Sequence, residues 1–566
     1  MAPLSTTVQT RAGPVTGWAD TYPLRATSSA REPAVAGGQD PVLKWLGIPY
    51  ARARRFERPQ PPENWDKPKD CFEYGSMFPQ PPSNTELLLS KLPGFIQRSH
   101  IYVSEDSHFI NVFAPGDVQE GEKLPVLVWI YGGALNNGTS DRFFYDPTEW
   151  VRDGKARGQR CIVVTGNYRT NIFGFLAHSD LSREDASGLC GNYGLYDCVA
   201  LLEWVQQNIS SFGGDPEKVT AFGQSAGAFL VSHLLVSGRM LFRRAICQSG
   251  AVNTMMLRPV DKAYPAYSSI LTSLGVPSNA SPSDRLAALR AASPEQLLAL
   301  HTATHSFAGL SLALEAEGKG IWTEDTMSML KKGEWDEWVE AAVLGTTEDE
   351  GSAFAWGMKL THPAAYAGYV SQFPPSLQTR INEKYLSAWG GSHPPPDAPG
   401  LDFTTTPGSK LLADQIFVNP VWDQAVALSQ NDGRNKCRTW LYRLRTGLET
   451  LLKFSPVKLG ILHAMDLPIL FNASSLWDGD ANSNDGKSAK AMGERWMRFA
   501  IEGDPDPSWL PFTPSAPSQL VFSDAGVVAN ESLADFKKNK LELFFAEKQD
   551  VKEDGVGEEV LGHSNE

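Results

Sequence analysis

Between Lys218 and Leu235 the chain passes without a linker from one secondary-structure period to another. Lys218-Val-Thr-Ala-Phe222 is a β-type run, Gly223-Gln-Ser-Ala-Gly227 follows, and a helical run extends from Ala226 through Leu235. A strand that turns straight into a helix, with small residues on both sides of a serine, needs a sharp and strained turn that lifts the hydroxyl above the sheet. The neighbouring sequence supplies the sheet. Val126-Leu-Val-Trp-Ile130 and Cys161-Ile-Val-Val-Thr165 are short, continuous apolar runs, which read as parallel strands buried on both faces. Between them and Lys218, residues Leu195, Val199, Leu202, Val205 and Ile209 recur at helical spacing until Gly213-Gly-Asp-Pro216 ends the pattern. Strand, helix, strand, helix predicts an α/β fold with a large, mostly parallel central sheet flanked by helices. Ala341-Ala-Val-Leu-Gly345 and Arg438-Thr-Trp-Leu-Tyr442 read as later strands, and 260–335 and 357–435 as helical insertions. No internal repeat is present.

A chain of 566 residues with 42% hydrophobic residues can bury a large core without staples. Residues 1–546 are expected to form a single domain. The segment from 547 to 566, with Glu553, Asp554, Glu558 and Glu559 and no apolar stripe, is expected to be a disordered acidic tail. A net charge of −14 leaves no basic footprint for nucleic acid, which excludes that class of partner. No run approaches the ~18 uninterrupted apolar residues of a membrane span. The first residues lack the basic segment, apolar run and cleavage site of a secretory signal, so a cytoplasmic location is expected. Cys71, Cys161, Cys190, Cys198, Cys247 and Cys437 are scattered without metal-ligand spacing and read as free buried thiols.

A serine is a poor nucleophile at neutral pH and needs a histidine base, itself held by a carboxylate. His362, His393 and His563 lie in helical, Pro-rich and tail contexts, whereas His463 lies in a compact loop, Gly460-Ile-Leu-His-Ala-Met-Asp466, and is the best base for Ser225. Asp349 and Glu350 both follow the strand ending at Gly345, and spacing does not choose between them as the acid. An attacked carbonyl becomes an oxyanion that needs backbone N–H donors, and Tyr131-Gly-Gly-Ala134 after a strand supplies such a loop.

With those motifs, the chain resembles the type-B carboxylesterase/lipase family of the α/β-hydrolase superfamily. Further pieces carry the likeness: Leu46-Gly-Ile-Pro-Tyr50, Arg55-Phe56, Ser104-Glu-Asp106, Asn111-Val-Phe113, Asn167-Tyr-Arg169, Gly191-Asn192 with Asp197, Phe212-Gly-Gly-Asp-Pro216 and Gln248-Ser-Gly250. The resemblance implies an esterase with Ser225 as nucleophile, Glu350 as triad acid and His463 as base. It also implies an oxyanion hole from the N–H groups of Gly133, Ala134 and Ala226, and a structural ion pair between Arg55 and Glu105 in place of two solvated charges. The implied reaction requires no metal or organic cofactor, and its partner is a small-molecule ester; the oligomeric state is left open.

Three departures from the family pattern refine the reading. Phe78 and Ser107 stand where many secreted members close a disulfide, which fits a reducing compartment. The segment that bridge would have stapled, 79–106, carries Leu87-Leu-Leu89, Leu92, Phe95 and Ile96 and reads either as an apolar lid or as a flap packed on the core. Gln224 stands where many relatives have glutamate, which disfavours quaternary ammonium substrates, and Ala134 replaces a common third glycine and narrows the site. The expected activity is therefore hydrolysis of uncharged, moderately apolar esters or lactones. Its alternatives are a biosynthetic acyltransferase or cyclase using the same triad, and a non-catalytic binding module like the neuroligins.

Overall fold

The computed structural model describes residues 4–21, 40–82, 102–141, 145–185, 187–255, 257–304, 310–316, 320–387, 401–430, 437–454, 458–473, 476 and 480–538. The main sheet has eleven strands. They are β1 (Trp18–Asp20), β2 (Val42–Pro49), β3 (Phe109–Pro115), β4 (Leu124–Ile130), β5 (Ile162–Gly166), β6 (Gly214–Gln224), β7 (Arg244–Gln248), β8 (Ala341–Thr347), β9 (Arg438–Leu444), β10 (Ser518–Phe522) and β11 (Val528–Ser532). In space the order is β11-β10-β9-β8-β7-β6-β4-β5-β3-β2-β1. Every pairing from β5 to β10 is parallel. β1, β2, β3 and β11 are antiparallel to their neighbours. The continuous apolar runs explain the centre: every residue of β4, β5 and β8 is buried, as in strands covered on both faces.

Helices α1 (Thr148–Ala156), α2 (Tyr193–Asn208), α3 (Ala226–Leu234), α4 (Pro294–Thr304), α5 (Ser352–Gly357), α6 (Asn419–Ser429), α7 (Asp466–Leu470) and α8 (Asn484–Glu502) connect and cover the strands. α3 packs on β6 and β7, and α8 on β4, β6 and β10. The ends of α8 are written in its sequence. Ser483 accepts the Gly486 N–H at the start, and Gly503 ends the helix in the left-handed region at φ 71°. Its buried stripe includes Met492, Trp496, Met497 and Phe499.

Residues 260–335 are helical as expected, but Leu257–Pro259 and Leu312–Leu314 add a short parallel pair that has no periodic signal of its own. The second insertion carries a separate apolar cluster that includes Leu360, Tyr366, Leu377, Ile381, Leu411 and Leu412. Most of the expected lid, 83–101, and the whole of 547–566 lie outside the described residues. All six cysteines are free and buried. Burial pushes the thiols of Cys71, Cys161, Cys190, Cys247 and Cys437 up to about 12, which makes them unreactive. Among the described residues no helix is long and apolar enough to cross a membrane.

Two ion pairs tie the sheet to its surroundings. Arg55 Nε donates to Glu105 Oε2 at 2.8 Å, and Arg55 Nη1 donates to the carbonyls of Leu289 and Ala292. This pair is thus part of a clamp on the first insertion, not two solvated charges. Deeper in, Arg169 after β5 grips Asp197 of α2 with Nε and Nη2, both at 2.8 Å, and His108 Nε2 lies 3.0 Å from the same carboxylate. Burial alone would raise the Asp197 carboxyl, but Arg169 and His108 outweigh it and hold the group well below the usual range. The Asp197 contribution to stability is therefore full above the ordinary unfolded value of about 3.9 and falls away as pH drops through the lower folded value. Arg169→Met leaves a buried carboxylate without its main partner, so denaturant titration at pH 7 is expected to show a loss of about 3 kcal/mol or more. The gap from wild type should narrow below pH ~4, where Asp197 is protonated in the variant and in both unfolded chains.

Candidate active site

Ser225 sits between β6 and α3 with φ 58° and ψ −127°, a conformation that non-glycine residues rarely adopt. The turn is held from both sides. Ser225 N–H donates to the Gln248 carbonyl at 2.8 Å, and the Ser225 carbonyl accepts the Phe229 N–H at 3.0 Å. Gly227 lets α3 begin this close to β4, since a Cβ there would lie 2.0 Å from the Ile130 carbonyl oxygen. Ser225 is partly exposed, and among the described residues its Oγ takes no hydrogen-bond partner.

Glu350 follows β8 and is fully buried. Its Oε1 accepts the Thr347 N–H at 2.7 Å and the Ser249 hydroxyl at 2.6 Å, and its Oε2 lies 2.5 Å from His463 Nδ1. Asp349, its neighbour, does different work. It accepts the Ile461 N–H at 3.0 Å and, with its own N–H, donates to the Ile461 carbonyl at 3.0 Å, bracing the loop that carries the histidine. The structure thus separates two carboxylates that spacing left equivalent. A carboxylate only accepts, so the proton shared with Glu350 belongs on His463 Nδ1 and the lone pair on Nε2. The ring is flanked by Phe417, with centroids 4.4 Å apart, and by Phe354 at 5.3 Å.

The lone pair on Nε2 does not meet Ser225. It faces the side-chain nitrogen of Gln224, 3.0 Å away. Sequence reasoning saw Gln224 as a missing charge and missed this contact.

The loop after β4 is shaped by its own backbone. Gly133, at φ 121°, leaves room for the Asn137 carbonyl, which a Cβ would approach to 2.0 Å, and its carbonyl accepts the N–H groups of Asn136 and Asn137. Ala134 and Leu135 follow at φ 55° and 60°. Among the described residues the N–H groups of Gly133, Ala134 and Ala226 take no backbone or side-chain acceptor. Ala226 is the first residue of α3, where the N–H has no intrahelical partner and the helix dipole favours negative charge. His301 of α4 fixes the far side of this loop: its Nε2 lies 2.7 Å from Asn136 Oδ1, and its Nδ1 lies 2.7 Å from the Tyr264 hydroxyl.

Further residues stand behind the site. Besides Ser249, buried Asp466 at the start of α7 accepts from Gln248 Nε2 at 2.7 Å and from the Tyr442 hydroxyl at 3.1 Å, and Trp496 Nε1 donates to Gln248 Oε1 at 3.1 Å. Burial first, and then the Glu350 charge, push the Asp466 carboxyl up to about 6 against these hydrogen bonds and His463. Asp466 lies three residues after His463 and Ser249 directly follows β7, but no spacing rule marks either as a neighbour of Glu350. Among the described residues no group of His, Cys, Asp and Glu is placed to hold a metal ion.

A family model described as the carboxylesterase family matches residues 30–539. Among curated proteins, the para-nitrobenzyl esterase of Bacillus subtilis (strain 168) is 40% identical over 236 residues, which is 41% of this chain and 44% of that protein. Carboxylesterase 5A of Canis lupus familiaris is 30% identical over 526 residues, 87% of this chain and 84% of that protein. Among solved structures, a thermophilic PNB esterase superposes with a TM-score of 0.72 at 26% identity, covering 95% of this chain and 100% of the other.

Proposed function

The chain belongs to the carboxylesterase family and is a carboxylic-ester hydrolase, and on that premise we propose that it cleaves esters through a Ser225-Glu350-His463 triad and a covalent acyl-enzyme. The observation that carries this reading is the 2.5 Å contact between Glu350 Oε2 and His463 Nδ1, beside a serine held at a strand-to-helix elbow. Ser225 Oγ attacks the ester carbonyl while His463 Nε2 takes its proton; the alcohol leaves with that proton. Water then attacks the acyl-enzyme, giving its proton to His463, which returns it to Ser225 as the acid is released. The negative oxygen of each tetrahedral intermediate lies against the N–H groups of Gly133, Ala134 and Ala226. Glu350 holds the tautomer and stabilises the imidazolium without taking the proton.

The substrates are uncharged, moderately apolar esters or lactones. Support comes from the aromatic rings of Phe354 and Phe417 beside His463 and from a neutral Gln224 next to the nucleophile. Apolar walls with a few polar anchors are the common make-up of small-molecule sites. The partly exposed Ala134, whose methyl group stands where a third glycine is common, favours short acyl groups.

Hydrolysis of p-nitrophenyl esters from acetate to long acyl chains tests this reading. The expected result is an initial burst of p-nitrophenol followed by slower turnover, with kcat/KM falling as the acyl chain lengthens. Turnover of none of the esters would refute it.

A further inference from the structure

We infer that Gln224 is a positioning residue that competes with Ser225 for His463 Nε2, so that the resting base is held off the nucleophile and their hydrogen bond forms only when Gln224 lets go. The inference rests on the proposed roles of Ser225 and His463.

A neutral imidazole has a single lone pair to offer. Glu350 Oε2, 2.5 Å from Nδ1, keeps the ring proton on that side, which leaves Nε2 as an acceptor. The Gln224 side-chain nitrogen, 3.0 Å away, is a donor only. It is therefore an amide N–H that occupies the lone pair needed for the proton of Ser225. Two further facts agree. Ser225 Oγ has no hydrogen-bond partner among the described residues, and Gln224 has no other side-chain hydrogen bond among them. Nor can either partner drift far. Gln224 is 3% exposed, at the end of β6 opposite Gln248 of β7, and its Oε1 lies beside Gly132, 3.2 Å from where a Cβ would be. His463 is walled by Phe417 and Phe354, so its choice of partner is made in the plane of the ring.

The residue type matters. A glutamate here could only accept, and would pair with the imidazolium instead of the neutral ring; a methionine could do neither. The acidic groups facing His463 are Glu350, in contact with Nδ1, and Asp466, behind it and electrostatically coupled to both. Both are unchanged in the variants proposed below.

A donor on the lone pair stabilises the neutral base, and one such hydrogen bond corresponds to about a two- to tenfold effect. This gives a signature in pH that loss of structure does not reproduce. Inactivation by a small p-nitrophenyl phosphonate, which reports the attack of Ser225, is to be measured across pH for wild type, Gln224→Met, Gln224→Glu and Ser225→Ala. In Gln224→Met the high-pH plateau is expected to rise about two- to tenfold. Its acid limb should move to higher pH by the logarithm of that factor, about 0.3 to 1 unit, and the two profiles should converge on the acid side, where the protonated base has already lost the contact. Gln224→Glu should move the limb further, because its carboxylate also stabilises the imidazolium. If the methionine variant does not accumulate, Gln224→Leu replaces it, with the same expectation. A plateau equal to or below that of wild type with an unmoved limb would overturn the inference. Inactivation that persists in Ser225→Ala would instead overturn the roles on which it rests.

Discussion

Replacing Ser225 by alanine is expected to lower kcat for ester hydrolysis by about 10⁶-fold, with residual rate from the oxyanion donors and binding alone. The fold should hardly notice. Ser225 Oγ has no partner among the described residues, so no hydrogen bond is broken, and alanine inherits the same φ of 58° that serine already tolerates. The thermal midpoint should stay within about 2 °C of wild type. A variant that loses activity and stability together would point to a structural serine. One that retains activity would remove it from the chemistry.

The second large effect concerns the acid. Glu350→Gln keeps the shape of the side chain, but the surroundings decide how the amide must lie. Thr347 N–H and the Ser249 hydroxyl both donate to the Oε1 position, at 2.7 and 2.6 Å, so the amide oxygen belongs there. The NH₂ group is then aimed at His463 Nδ1, which can only accept it. The ring proton moves to Nε2, and the base has no lone pair for Ser225. The expected loss in kcat is about 10⁴-fold, the size associated with the wrong tautomer. Asp349→Asn retains an oxygen to accept the Ile461 N–H and should fall by no more than about tenfold, within the cost of one neutral hydrogen bond. Steady-state kinetics on the two variants side by side checks the assignment. Equal losses, or a larger loss at Asp349, would contradict it.

The elbow was legible in the sequence because the period changes there from strand to helix across Gly223 and Gly227, and β4, β5 and β8 were legible because continuous apolar runs mark strands covered on both faces. β7 was not. Its Arg244 and Gln248 break the apolar run, and both are buried only because distant groups satisfy them. Arg244 donates to Glu340 and to the Ala500 carbonyl, and Gln248 donates to Asp466. β2 hides in the same way behind Lys44, whose charge meets Asp20 of β1 at 2.5 Å, and behind the irregular register between Trp45 and Ile48.

Within the site, the histidine could be chosen by elimination among loops. Asp349 and Glu350 could not be separated from the residues alone, because adjacent positions in one turn point to different partners and only the packing of the 460–463 loop says which. The resemblance to relatives pointed to Glu350, and Glu350 is the one of the two that touches His463, with Thr347 and Ser249 on its other oxygen. The Gln224 contact with His463 depends on the orientation of a ring brought from the far end of the chain, and no local pattern encodes that.

If Ser225 carries the acyl group, the intermediate can be caught on it: the enzyme is mixed with a p-nitrophenyl ester, quenched in acid during the burst, and the added acyl mass located by peptide mapping. One acyl group per chain is expected, on the peptide containing Gly223-Gln-Ser-Ala-Gly227, and none in Ser225→Ala. Turnover without any acylated peptide, or an acyl group on another residue, would contradict it.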